Sequence, residues 1–440
     1  MTAYWCEKAW LGPGRVTDGV LVRVEGARIS DVTTVGAAPA DAIRLAGLTI
    51  PGFANCHSHA FHRALRGRTQ RERGSFWTWR DTMYGVAERL DPDRYYALAK
   101  ATYEEMLLCG ITAVGEFHYL HHAPNGLPYD EPNAMGLAVV AAARDAGLRI
   151  ALLDTCYLSA GFGAAPDGVQ KRFSDGDADR WAGRVDALTR HREVQSDDIV
   201  VGTAIHSVRA VPRAELTVVA KAQAEAPLHI HLSEQPAEND GCVATYGLTP
   251  TQLLAEEDVL GDRLSAVHAT HLTPTDRSLL GDAKAFACFC PTTERDLADG
   301  VGPAAELVEA GSQLTLGSDS HAVINPFEEM RAVELNARLA TRERGHLRAA
   351  DLLEAGTVWG HTSLGFAHAG RIAGGQWADL VTVDTRSPRT AGTGEGEETV
   401  VFAAGPADVR HVVASGRRVD LDAADVGGRL AQAVTSVVEG

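Results

Sequence analysis

The sequence predicts a (β/α)8 barrel carrying a small composite β-sandwich domain made from both ends of the chain. Three observations point there. Between residues 51 and 364, short apolar strand-like runs alternate with long Ala- and Leu-rich stretches of helical texture, the pattern of repeated β/α units. Eight such runs can be placed, near 48–55, 111–117, 149–155, 199–204, 228–232, 264–268, 285–289 and 313–316, over a length usual for such barrels. Outside them, residues 1–50 and 365–440 show short alternating strands broken by Gly and Asp turns.

The terminal strands include 20–24, 29–35, 378–383 and 409–415, with an exposed-looking Gly/Glu/Thr stretch at 390–399. Neither terminal segment is long enough to bury a core alone, so the two are expected to pair into one domain beside the barrel.

Composition excludes several function classes. The chain has 440 residues with 41 Lys plus Arg against 58 Asp plus Glu, and a net charge of −17 repels nucleic acid and acidic membrane surfaces. With 45% hydrophobic and 22% charged residues it is an ordinary globular composition. No window approaches the roughly 20 apolar residues of a membrane span, and the opening residues lack a signal-peptide layout, so a cytoplasmic location is expected. Seven scattered cysteines, an odd number, read as reduced thiols, with Cys288 and Cys290 as packing residues.

In a barrel enzyme the reacting groups lie where strands end, and the strand ends here carry chemistry. Strand 1 runs into His57-Ser-His59, whose alternate residues share one face of an extended chain. Strand 5 ends in His231 with Glu234 three residues on, strand 6 in His268, and strand 8 runs into Gly317-Ser-Asp319. Three neutral imidazoles and one carboxylate form a donor set suited to Zn2+, and tolerant of Fe2+, with room for water. His229 lies one layer deeper on strand 5 and reads as core. Glu234, His268 and Asp319 are the titratable groups expected nearest the metal, where hydrolysis needs proton transfer. Glu234 is the natural proton shuttle, and Glu238 reads as a solvated loop carboxylate.

A strand-1 His-x-His, strand-5 His, strand-6 His and strand-8 Asp on such a barrel resemble the amidohydrolase superfamily, and the likeness covers nearly the whole chain. It implies a TIM-like barrel of the amidohydrolase type. The segments His231-Leu-Ser-Glu234 and Gly317-Ser-Asp319-Ser are similar to its mononuclear deaminase branch. Two-metal members usually carry a modified Lys at the end of strand 4, and the strand here, Ile199-Val-Val-Gly-Thr-Ala-Ile-His206, has none, so one metal per chain is expected.

Further segments, Phe76-Trp-Thr-Trp-Arg80, Glu116-Phe-His-Tyr119, Ile205-His206-Ser-Val-Arg209 and Cys290-Pro-Thr-Thr-Glu294, resemble the N-formimino-L-glutamate iminohydrolase family of histidine degradation. That resemblance implies zinc on His57, His59, His231 and Asp319, proton transfer by Glu234 and His268, and substrate held by Arg80, Tyr119, His206 and Arg209. His62 stands where that family often has Gln, and is expected near the hydrolysed group. Planar guanidinium forks suit a dicarboxylate, which fits two arginines and a phenol at the mouth. His118, His121 and His122 are read as loop structure or as groups behind the ligands. The resemblance also suggests a homodimer. Two alternatives are carried: a deaminase of an aminopurine or other ring amidine, and a non-catalytic scaffold.

Overall fold

The computed structural model describes residues 1–70 and 76–439. Eight parallel strands form the barrel: β5 (Phe53–Ser58), β6 (Ile111–His118), β7 (Arg149–Cys156), β8 (Ile199–Ile205), β9 (Leu228–Leu232), β10 (Leu264–His268), β11 (Phe286–Phe289) and β12 (Gln313–Leu316). Each pairs in parallel with its sequence neighbour, and the ring is closed where β5 and the chain after β12 meet, through a bridge between Ser58 and Asp319. Every residue of β5, β6, β7, β9, β10 and β11 is buried, as expected of strands covered on both faces.

Sequence explains the helices around the barrel. Several begin with a side-chain cap followed by Pro at the first helical position: Asp91 accepts the Arg94 N–H ahead of Pro92–Leu108, and Asn325 accepts that of Glu328 ahead of Pro326–Thr341. The cap satisfies an orphan donor, and Pro, which has no N–H to lose there, presets the helical φ.

The two chain ends share one seven-stranded sheet. Its strands are β1 (Thr2–Trp10), β2 (Val16–Glu25), β3 (Arg28–Thr34), β4 (Ile43–Pro51), β13 (Leu380–Val383), β14 (Val409–Ala414) and β15 (Arg417–Arg418), in the order β15-β14-β13-β4-β1-β2-β3. All neighbours are antiparallel except β1 with β4. N- and C-terminal segments join along β4 and β13, where the Thr49 and Thr382 hydroxyls meet at 3.0 Å. The sheet curls over a core of Tyr4, Cys6, Val20, Val22, Leu45, Leu380 and Val413 until its far ends touch. The Tyr4 hydroxyl donates to the Gly416 carbonyl at 3.1 Å, and Arg28 bridges to Trp377. The expected sandwich is thus a single sheet folded upon itself.

Two local readings change. The apolar run at 48–55 is divided, its first half completing β4 and its second opening β5, with Gly52 between them. A Cβ at Gly52 would lie 2.3 Å from the Thr112 hydroxyl, so only glycine allows the chain to pass from sheet to barrel there. Residues Ala423–Val438, grouped by sequence with the terminal strands, form a helix that packs on barrel helix Pro92–Leu108. Val426 and Leu430 bury against Ala101, and Arg429 donates to Glu104 at 2.7 Å. In the stretch 390–399 the middle is exposed, but Thr390 and Glu397 are buried and Glu397 accepts from Trp10 at 3.2 Å. Sheet and barrel are also tied by a buried ion pair of Arg149 with Asp379, with the guanidinium 4.7 Å from the Trp377 ring. All seven cysteines are unpaired and buried. No helix among the described residues is long and apolar enough to cross a membrane.

Candidate active site

A cavity of about 80 Å3 opens at the C-terminal ends of the strands. Its floor is built by β5, β9, β10 and the turn after β12. His57 and His59 leave β5 side by side, their rings 4.7 Å apart. His59 Nδ1 donates to the Phe117 carbonyl at 2.9 Å and His231 Nδ1 to the His206 carbonyl at 2.8 Å, which leaves both Nε2 lone pairs facing inward. The Nε2 atoms of His57 and His231 are 3.1 Å apart, and Asp319 Oδ1 lies 3.5 Å from His57 Nε2 and 3.3 Å from His59 Nε2.

These distances test whether a metal fits. A tetrahedral ion with bonds of about 2.0–2.1 Å sets its ligand atoms about 3.3–3.4 Å apart, close to the 3.1, 3.3 and 3.5 Å found here, and His57 belongs to two such clusters, one with His59 and Asp319 and one with His231 and His268. Burial first, and neighbouring imidazoles second, hold His57 and His231 well below the usual imidazole pKa; burial lowers His59 too, against the pull of Asp319. Neutral imidazoles at pH 7 are the form a cation needs. Buried His and Asp side chains able to hold a divalent ion therefore gather at this corner, with His57 common to both groups.

Backbone geometry keeps the donors close. Asp319 and His268 both adopt left-handed φ values, 44° and 68°, costly for residues with side chains and tolerated where the surroundings enforce them. At Gly317 a Cβ would come 2.7 Å from that of His57 and 2.8 Å from the Cys290 sulfur, so β12 can approach β5 only through glycine. Beneath the histidines, buried Glu116 accepts from Ser58 Oγ and the Ala60 N–H, each at 2.6 Å, and so clamps the segment that carries both imidazoles. Burial pushes the Glu116 carboxyl up to about 7.

Beside this corner stand the groups expected to move protons. His268 Nε2 is 3.6 Å from Asp319 Oδ2 and 3.8 Å from Glu234 Oε1, while its Nδ1 faces Glu294 Oε1 at 3.4 Å. Burial alone would lower its pKa, but Glu234, Glu294 and Asp319 outweigh it and hold the imidazole well above its ordinary value. Burial raises Glu234, with Asp319 adding and His268 and Arg209 opposing.

The cavity walls bring together Arg80, Tyr119, His206, Arg209 and His62. Arg80 lies on the helix Phe76–Arg89, its guanidinium 5.4 Å from the Tyr84 ring; the side chains of Phe76 and Trp77 in the same motif fall outside the described residues. His62 Nε2 and the Tyr119 hydroxyl are hydrogen-bonded at 2.9 Å. Burial holds His62 and His206 well below the usual imidazole pKa. His229 is fully buried, pulled down to about 4 by burial.

Sequence reasoning missed several participants. Glu238, read as a solvated loop carboxylate, is 1% exposed and pairs with Arg209 Nε at 3.3 Å, fixing that guanidinium at the cavity wall. Its place four residues after Glu234, in the first turn of helix Pro236–Tyr246, was the available signal. Glu294 lay inside a quoted motif, but its contact with His268 depends on the turn from β11 into helix Pro291–Leu297. The aromatic wall joins Trp79 and Tyr84 of the helix Phe76–Arg89 to Tyr157 after β7 and Phe173 beyond it, an assembly across three segments that only Trp79's motif hinted at.

The chain matches the amidohydrolase family over residues 48–419. It is 36% identical to the formimidoylglutamate deiminase of Pseudomonas aeruginosa, over 97% of this chain and 96% of that protein. It is 29% identical to a 5-methylthioadenosine/S-adenosylhomocysteine deaminase of Natronomonas pharaonis, over 84% and 80%. The crystal structure of an amidohydrolase from Brucella melitensis is similar with a TM-score of 0.92 at 31% identity, covering all of both chains. An adenosine deaminase from Xanthomonas campestris, solved with bound zinc, shares the fold with a TM-score of 0.84 at 23% identity, covering 100% of this chain and 99% of that one. Barrel, site and relatives converge on a hydrolase acting on carbon–nitrogen bonds, and the chain belongs to the amidohydrolase family.

Proposed function

We propose that this enzyme hydrolyses N-formimino-L-glutamate to N-formyl-L-glutamate and ammonia, a step of histidine degradation, with one zinc ion per chain. The observation that carries the reading is a single cavity holding both the imidazole–carboxylate corner and two guanidiniums, Arg80 and Arg209, beside the Tyr119 phenol. An amidine joined to a dicarboxylate matches both halves. Guanidinium forks grip carboxylates in fixed geometry, and that grip orients the amidine carbon over the corner. The 36%-identical relative supports the same substrate. The absence of lysine from β8 supports a single ion, and Fe2+ suits the same donors.

His57, His59, His231 and Asp319 would hold the divalent ion, and its chemistry there would be to polarise water toward hydroxide at neutral pH. The chain's own groups do the rest. Asp319 accepts the proton that water gives up. His268, kept cationic by Glu234, Glu294 and Asp319, stabilises negative charge as it develops. Glu234, whose pKa burial raises, delivers a proton to the terminal nitrogen. A carbon–oxygen bond forms, the bond to that nitrogen breaks, and the nitrogen leaves as ammonia with both protons drawn from water. Tyr119 and His206 line the wall opposite and hold the substrate, with His62 fixed against Tyr119. The reading carries with it a cytoplasmic setting and a homodimer, both implied by the family resemblance.

A second reading, an aminopurine or other ring amidine, draws on the aromatic wall and the nucleoside-acting relative. Ammonia release by metal-loaded enzyme from a panel of formimino amino acids and aminopurines separates the two. Formiminoglutamate is expected to be the best substrate, and Arg209→Met is expected to lower its kcat/KM by roughly 100-fold, the loss of a charge-assisted pair. An aminopurine turned over best, with Arg209→Met harmless, overturns the proposal.

A further inference from the structure

Asp299 lies where three loops of the barrel mouth meet, and the reaction above leaves it without a role. It follows the helix Pro291–Leu297, and Ala298, at a left-handed φ of 61°, turns the chain toward Glu234 and His268. Those two side chains line the cavity and Asp299 does not. Its backbone is pinned on both sides: the N–H donates to the Glu294 carbonyl at 2.9 Å, and the carbonyl accepts from His271 Nε2 at 2.8 Å. The residue is 2% exposed. Oδ1 accepts from the Gln235 side-chain amide, while Oδ2 meets no hydrogen-bond partner among the described residues. A carboxyl oxygen of Asp299, one of Glu234 and a ring nitrogen of His268 lie within 4.8 Å of one another.

A buried carboxylate with a bare oxygen, set against another carboxylate, is penalised by lost hydration and by repulsion. One proton removes both penalties and turns Asp299 into a donor with the Glu234 carboxylate close by. The charged groups facing it are Glu234 after β9, His268 at the end of β10, Glu294 on the helix after β11 and Asp319 after β12. Burial, then the charge of Glu234, push the Asp299 carboxyl up to about 9, against the opposing pull of His268.

We propose that Asp299 is a positioning residue for Glu234, a neutral carboxylic acid that donates a hydrogen bond, directly or through one water, to the Glu234 carboxylate. The inference rests on the reading of Glu234 as proton donor to the leaving nitrogen. A hydrogen bond to an ionised acceptor is about twice as strong as one to a neutral group. The contact is therefore strongest once Glu234 has given up its proton, so its loss falls on kcat and not on KM.

The test compares Asp299→Asn, which keeps the shape and an N–H donor, with Asp299→Ala in the metal-loaded enzyme. The Ala variant is expected to lose roughly 10- to 100-fold in kcat with KM within about twofold, and Asn to restore kcat to within roughly fivefold of the parent. In a Glu234→Gln background the Ala substitution adds less than about threefold. Infrared difference spectra of the resting protein at neutral pH, parent minus Asp299→Asn, should show the carbonyl band of a protonated carboxylic acid. An Asn variant as impaired as Ala, or no such band, overturns the proposal. The infrared readout needs no substrate, so failure of the formiminoglutamate assignment with the band present refutes that assignment and leaves Asp299 standing.

Discussion

Two clusters of buried histidines share the mouth of one barrel and come to different ends. In the first, His57, His59 and His231 turn toward Asp319, whose carboxylate pairs only with imidazoles among the described residues. In the second, His118, His121 and His122 lie with Asp154 and Asp175, and Arg184 bridges both carboxylates at 2.8 and 3.0 Å. Trp181 adds a hydrogen bond to Asp154 at 2.9 Å, and His122 Nε2 reaches Asp175 at 3.1 Å. Proximity does not separate them, since His118, His121 and Asp154 also bring donor atoms within 4.8 Å. What separates them is the guanidinium. One cluster already contains a guanidinium, covalently attached between its carboxylates, and the other has none on its Asp319.

The contrast can be broken most sharply at the proposed ligands. His57→Ala is expected to abolish bound zinc and lower turnover by about 1,000-fold or more, whereas His121→Gln leaves metal content unchanged, as measured by elemental analysis of reconstituted protein. Zinc lost equally from both would erase the distinction. Next in size, Arg184→Met strands two buried carboxylates and should cost about 3–5 kcal/mol in denaturant unfolding while the remaining folded protein keeps its metal. A variant as stable as its parent would show that the second cluster does not depend on its guanidinium.

The smallest effect concerns acid. Arg184 and the nearby histidines outweigh burial and hold Asp154 and Asp175 below the usual carboxylate range. For carboxyls depressed in the folded state, the stabilisation is present above the unfolded value, about 3.9, and is lost as pH falls below it. Asp175→Asn should therefore lower stability by roughly 1–2 kcal/mol above about pH 5 and flatten the acid limb, the deficit closing as pH falls. An unchanged acid limb would remove Asp175 from the account.

Legibility in the sequence followed the range of the interactions. His57 and His59 share a strand face, so their pairing is a local fact, and His231, His268 and Asp319 could be ranked by strand order alone. The barrel strands were readable because burial on both faces leaves unbroken apolar runs. The division at Gly52 was not, because one apolar run serves two sheets, and only the crowding against Thr112 reveals the break. The helix Ala423–Val438 was missed although its apolar residues share one face. Glu238, Glu294 and Asp299 were missed for another reason: an acidic residue in or beside the first turn of a short helix looks solvated until the fold brings a second segment over it.

The crossing at Gly52 has a wider consequence. Because β4 continues into β5 across one residue, tension on the flanking sheet is delivered straight to the strand that bears His57 and His59. The flanking sheet is therefore less a detachable accessory than the abutment of an arch: trim it away, and the first stone of the reaction chamber loses its footing.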